Sequence, residues 1–185
     1  MDHPRQPDNR PIVNPRTALH QPTTLGATFR EFMSSFYTGV TIVTTTDDTG
    51  TTHAMTCTSL ASVTLEPPTL LVCLDSTSGT LRAILDSHRF AVNILGRDAP
   101  ATAEFFSSPA PRDQSTAHQI HSPTLAQPWL PEESLAMAEC TLASTLVVGT
   151  HTVVFGTVQS SACTPSTPLI YGHRSYQTLT EEPPA

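Results

Sequence analysis

The chain contains no lysine. All nine of its basic residues are arginine, set against 16 acidic residues for a net charge of −7 at pH 7 over 185 residues. A nucleic-acid surface needs clustered Lys and Arg to neutralise phosphates, so this balance argues against a nucleic-acid partner. Aromatic residues are scarce, at 6%, and the apolar runs, such as Leu70–Leu74, are strand-sized. They fall far short of the roughly 20 residues a membrane helix requires. The stretch from Met1 to Pro22 carries prolines at 4, 7, 11, 15 and 22 and has no apolar segment, so it does not read as a secretory signal. The four cysteines (57, 73, 140 and 163) form no CxxC pair, which suggests neither a zinc knuckle nor a redox couple. No metal site is expected, and a reduced cytoplasmic setting is the expectation.

What the chain has in excess is threonine, at 30 positions. Threonine with few aromatics favours β structure rich in hydroxyls and disfavours coiled coil. The length suits one domain with tails: an extended or disordered Pro-rich arm over 1–24, a domain over 25–180, and a short tail over 181–185. Leu25, Phe29, Phe32, Met33 and Phe36 recur at helical spacing, predicting an amphipathic helix that ends before Gly39. Strands are expected over Val40–Thr46, Thr51–Leu60 as a hairpin return, Thr69–Asp75 and Phe90–Leu95, with Pro67-Pro68 interrupting the pairing. Ser78–Ser87 reads as a short helix with Ser78 as its N-cap, and Ala99–Phe106 as another. The Pro-rich residues 107–134 read as a long surface loop. Strands then resume over Leu135–Val148, Thr152–Gln159, Pro168–Tyr171 and Ser175–Leu179. Short strands at close spacing with few helices point to an antiparallel barrel with helical decoration.

Two segments could carry chemistry. His53 to Pro68 places hydroxyls at 56, 58, 59, 62 and 64 ahead of a Pro-Pro that turns the chain. Ser76-Thr-Ser-Gly-Thr80 then opens the helix near Ser78, and hydroxyls with free N–H groups at a helix start form an anion site that needs no lysine.

The ordered set Gly39-Val-Thr-Ile-Val-Thr-Thr45, Thr56-Cys-Thr-Ser59, Ser62-Val-Thr-Leu-Glu-Pro-Pro68, Leu70–Asp75, Ser78-Gly-Thr80, Phe90–Leu95, Glu139-Cys140, Gly149–Gly156, Pro168–Tyr171 and Tyr176 resembles the short-chain flavin reductases. These are the reductase components of two-component flavin monooxygenases. The resemblance covers residues 27–179. It implies a mainly β, antiparallel FMN-binding split barrel with a few short flanking helices, assembled as a homodimer with flavin at the subunit interface. It further implies FMN or FAD as the flavin, NADH or NADPH as hydride donor, and a partner monooxygenase. The family's flavin contacts fall on Thr56, Cys57, Thr58, Ser59 and Ser62, with phosphate contacts on Ser78 and Thr80. By the same resemblance His151 contacts the nicotinamide or closes the site, and His173, Arg174 and Tyr176 are rim contacts. Hydride passes directly from nicotinamide to flavin, so orientation does most of the work and no nucleophile is needed.

Three departures qualify the transfer. Thr150 stands where the family has Asp beside the histidine. Positions 76, 77 and 79 are Ser, Thr and Gly where an Arg or Lys is frequent, and Ala99 replaces a frequent glutamine. The second departure predicts flavin that exchanges readily, because charge-assisted phosphate contacts are about twice as strong as neutral ones. Two alternatives stay open at this point. One is a flavin-binding protein without reductase activity; the other is a single-component oxygenase or oxidase using residues 107–134 as a lid.

Overall fold

A computed structural model describes residues 24–108 and 119–179. The expected arm (apart from Thr24), the expected tail, and residues 109–118 of the expected loop lie outside the described residues. The first helix, α1 (Leu25–Ser34), is followed by β1 (Thr38–Gly39), β2 (Thr41–Thr46), β3 (Thr52–Cys57), β4 (Ala61–Leu65) and β5 (Pro68–Asp75). Helix α2 (Gly79–Ser87), strand β6 (Arg89–Leu95) and helix α3 (Pro100–Ser107) come next. Six strands complete the chain: β7 (Ile120–His121), β8 (Pro128–Trp129), β9 (Ser134–Val148), β10 (His151–Cys163), β11 (Leu169–Gly172) and β12 (Ser175–Thr178).

Every residue from Val40 to Thr46 is β-branched, which restricts χ1 and suits the pleated surface of a strand. That run becomes β2, inside a seven-stranded antiparallel sheet of order β3-β2-β6-β9-β10-β5-β4. The sheet rolls on itself without closing its ladder, as a split barrel does. Val43, Cys57, Val72, Leu74, Phe90, Val92, Cys140 and Val154 come from six different strands yet pack in one core. Leu81 and Ile84 of α2 complete that core. Val40, just ahead of β2, and Ile42 on its other face enter a second core with Ala99, Ala103 and Phe106 of the α3 region, Leu130 and Leu169. Burial on both faces is why β2 reads as a continuous run instead of an alternation.

Much of the threonine excess has a local use here. Thr41, Thr44 and Thr45 are buried in β2, and each hydroxyl donates to a main-chain carbonyl: Cys57 (2.7 Å), Pro128 (2.6 Å) and Arg89 (2.7 Å). A buried hydroxyl without such an acceptor would be destabilising. Asn93 adds a second tie, donating to the Ile42 carbonyl at 3.2 Å and accepting from the Leu130 N–H at 3.0 Å.

The structure corrects several boundaries. The hairpin return expected over Thr51–Leu60 is β3, which stops at Cys57, and after residues 58–60 follows a strand that was not expected, β4. Pro68 does not interrupt pairing; it opens β5, opposite Leu65, a first-residue position where no ladder N–H is required. The expected structureless loop contains the small hairpin β7–β8. A buried carboxylate holds that hairpin down: Glu139 of β9, fully buried, accepts from the Ser122 hydroxyl, the Thr124 N–H (2.9 Å) and the Leu125 N–H (2.6 Å).

Helix α1 forms as expected, with Thr24 as N-cap accepting from the Ala27 N–H. Among the described residues nothing covers its apolar stripe: Leu25, Phe29, Phe32, Met33 and Phe36 are all exposed. Among the described residues no helix is long and apolar enough to cross a membrane.

Candidate functional site

The segment that carries the strongest motif is where the ladder stops. Strand β3 ends at Cys57, and Thr58, Ser59 and Leu60 bridge to β4 outside any strand. In the sheet order β3 and β4 are opposite edges, so these three residues cross the seam of the rolled sheet. Ser59 fastens the crossing: its hydroxyl donates to the Cys73 carbonyl (3.1 Å) and accepts from the Cys73 N–H (2.8 Å) on β5. Thr56 is similarly committed, its hydroxyl donating to the Ala103 carbonyl of α3 at 2.6 Å. Both hydroxyls therefore serve main chain, and what the segment offers a ligand is its backbone and the exposed Thr58. Cys57 is buried in the core with its sulfur 3.0 Å from the Ser59 hydroxyl.

Beside this segment lies an open groove of about 460 Å³, lined by Thr56, Thr58, Glu104, Tyr171, Arg174 and Tyr176 among others. Its size falls in the range of small-molecule sites. The Tyr171 and Tyr176 rings lie 5.4 Å apart and offer an aromatic wall. Burial, then the neighbouring Tyr171 and Glu104, push the Tyr176 hydroxyl up from its ordinary value, so Tyr176 keeps its proton. Of the expected rim residues, Arg174 and Tyr176 line this groove. His173 instead turns its ring edge-on to Tyr37, at 5.4 Å. Ser62 lies exposed on edge strand β4, paired with Leu70, and does not line the groove.

A second cluster gathers at the start of α2. Ser78 caps the helix, its hydroxyl accepting from the Leu81 N–H at 3.1 Å. Thr80 is only 5% exposed, so within one chain its side chain packs inward and offers little hydroxyl to a phosphate. His151 opens β10 directly opposite Asp75 of β5, and its Nδ1 lies 3.0 Å from the Thr150 hydroxyl. Asp75 thus places a carboxylate across the ladder from His151. That carboxyl is held below its ordinary value by the Thr77 hydroxyl first, then the Thr77 N–H, with His151 adding to the same direction.

One neighbour of this cluster was not apparent from the sequence. His53 pairs through Nε2 with Asp47 at 2.8 Å, and its Nδ1 borders Gly79, 3.6 Å from where a Cβ would stand. The Thr49 hydroxyl, then His53 and the Thr51 N–H, hold the Asp47 carboxyl far below the usual carboxylate range. An imidazole ring therefore stands beside the helix start. Its position in the sequence, within a Thr-rich hairpin, gave no signal of this placement.

The residues present fit a flavin. The seam segment supplies main-chain donors and acceptors outside the ladder for a ring edge, and the α2 start supplies N–H groups for a phosphate.

Comparison with known proteins agrees. The flavin reductase like domain matches residues 33–180. A flavin reductase (NADPH) of Lentzea aerocolonigenes is 44% identical over 156 residues, covering 84% of this chain and 91% of that protein. A flavin reductase (NADH) of Kitasatospora aureofaciens is 35% identical, covering 82% and 80%. Among solved structures, BorF, the flavin reductase component of a bacterial two-component tryptophan halogenase, superposes with a TM-score of 0.78 at 28% identity, covering 85% of this chain and 99% of BorF. The rolled sheet, the seam segment with its groove, and these matches together place the chain in the flavin reductase-like family.

Proposed function

We propose that this flavin reductase takes a hydride from NADH or NADPH, delivers it to FMN or FAD, and releases the reduced flavin to a partner monooxygenase. The observation that carries the reading is the seam at Thr58–Leu60, where backbone leaves the ladder beside an open groove. A bound flavin supplies the hydride-accepting ring; the protein supplies orientation. The backbone of Thr56, Cys57, Thr58 and Ser59 reads the ring edge, with Ser62 outlying, and the Ser78 cap with the α2 N–H groups takes the phosphate. The inward-facing Thr80 contributes its main chain there. His151, steadied by Thr150 and facing Asp75, orients the nicotinamide, and Tyr176 walls the groove, with His173 bracing its rim. Neither FMN over FAD nor NADH over NADPH is favoured by these contacts. Four free cysteines suit the reducing cytoplasm.

One activity matrix tests this: NADH or NADPH against FMN or FAD, followed by loss of reduced-nicotinamide absorbance. The parent should oxidise at least one nucleotide only when flavin is present. His151→Ala should raise KM for the nucleotide about tenfold, and more than KM for flavin; Ser78→Ala should do the reverse, since a lost contact to a charged group is worth at least that factor. Flavin binding without nucleotide oxidation would reduce the protein to a flavin carrier.

We also propose a homodimer. The bare stripe on α1, with Val63 and Leu65 on β4 and Leu146, Val147 and Val148 at the β9–β10 end, leaves more apolar surface uncovered than a monomer normally shows. Light scattering should give twice the chain mass, and Phe32→Glu should shift the equilibrium toward monomer. A parent that runs as a monomer at micromolar concentration would refute the assembly.

A further inference from the structure

The turn joining β11 to β12 has two residues, His173 and Arg174, between the paired Gly172 and Ser175. Both adopt positive φ, 47° and 62°, the geometry of a tight hairpin turn that normally selects Asn-Gly. Side chains with a Cβ are disfavoured there, so an arginine at this position is held against its own preference. The surroundings do the holding. The His173 N–H donates to the Ser34 carbonyl at the end of α1 (2.6 Å). The Tyr37 ring covers Gly172 so closely that a Cβ would collide with it, and it meets the His173 ring edge-on. A non-glycine residue fixed in a sparsely populated conformation at the rim of a site points to a task for its side chain.

The groove identifies the task. Among the described residues that line it, Arg174 is the one Arg or Lys, in a chain with no lysine. A nicotinamide dinucleotide carries at least two phosphate charges, and a guanidinium grips phosphate bidentately. Glu104, the carboxylate lining the same groove, repels such charge from the α3 side and leaves the hairpin tip as the place for it. We propose that Arg174 reads a phosphate of the incoming nicotinamide dinucleotide, positioned by a turn that α1 and Tyr37 clamp. The proposal rests on the reductase reading above and goes beyond it by naming the residue that receives the donor's charge.

Arg174→Gly tests it without endangering the fold, because glycine relaxes the turn. Its Tm should equal or exceed the parent's. KM for the dinucleotide should rise roughly five- to tenfold, with KM rather than kcat carrying the effect, while KM for flavin stays at the parent value. Equilibrium titration with NADP+ and NAD+ should show the same loss, and Arg174→Lys should recover part of it. A loss confined to NADPH and NADP+ assigns the 2′-phosphate; an equal loss with both nucleotides assigns the pyrophosphate. Unchanged nucleotide KM on an active parent, or a rise in flavin KM instead, overturns this assignment alone. A parent that oxidises neither nucleotide overturns the reductase reading and the assignment with it.

Discussion

Gly156→Ala should lower the unfolding free energy by about 3 kcal/mol, near the upper end for a single small-to-large change. Gly156 lies in β10, opposite Leu142 of β9 and Leu70 of β5, at a register shift between Phe155 and Gly156. A Cβ there would stand 2.8 Å from Phe90 Cε1 and 2.9 Å from Cys140 Cβ, and closer still to Phe90 Cζ. Phe90 is completely buried and is surrounded by core side chains from five other strands, so its ring has no free space to enter. Domains of this size hold only about 5–15 kcal/mol in total, so the variant should unfold at a markedly lower urea concentration. The double variant Gly156→Ala with Phe90→Leu should be more stable than the sum of the two single losses, because the smaller side chain makes room. A Gly156→Ala midpoint within about 0.5 kcal/mol of the parent would mean that the ring yields.

Glu139→Ala should be comparably costly, about 3 kcal/mol. It leaves the Ser122 hydroxyl and the Thr124 and Leu125 N–H groups without the acceptor that buries with them, and each orphaned donor costs about 1–3 kcal/mol before relaxation. Burial pushes the Glu139 carboxyl up, but the Ser122 hydroxyl and the Leu125 and Thr124 N–H groups together outweigh it, and the carboxyl ends below its ordinary value. A carboxyl depressed in the folded state stabilises that state fully above its unfolded value. The contribution disappears as pH falls through the folded value. Glu139→Gln should therefore lose less stability between pH 7 and strongly acid solution than the parent does, although it starts lower at pH 7. Parallel acid losses in urea titrations would show that Glu139 is not a source of acid sensitivity. The neighbouring Cys140 takes no part, since burial first and Glu139 second push its thiol up to about 12.

The fold was legible where side-chain pattern and backbone requirement coincide. Val40–Thr46 could only be a strand, the apolar spacing from Leu25 to Phe36 could only be a helix, and Ser78 marked its own helix start. Strand β4 was missed for a physical reason. All five of its residues are exposed on a sheet edge, so no burial contrast marked it, and the two prolines suggested an end where there is a turn and a new strand. Glu139 stood in the set that carries the resemblance, but its role as an acceptor was hidden because its partners lie 14 to 17 residues upstream, in a segment read as loop. The site was legible as a motif and not as geometry. Thr56 and Ser59 carry the family signature, yet their hydroxyls bind the Ala103 and Cys73 carbonyls. Sequence identifies which residues recur, whereas which atom of a residue is available depends on neighbours brought from elsewhere in the chain.

The seam has a consequence for the order in which this protein can be assembled. β2–β3 and β4–β5 are both local hairpins, and both exist once the first 75 residues are synthesised. They sit, however, at opposite ends of the sheet, and β6, β9 and β10 stand between them. The Ser59–Cys73 hydrogen bonds tie the crossing to β5 locally, but the sheet on either side of it is joined only when β10 pairs with β5, a contact between residues some 80 positions apart. Closing loops of that length is entropically slow. The seam segment is among the earliest parts of the domain to leave the ribosome, but the sheet that frames it is among the last parts the chain completes. A nascent or truncated chain that stops before β10 would carry every motif residue of the seam and have no site.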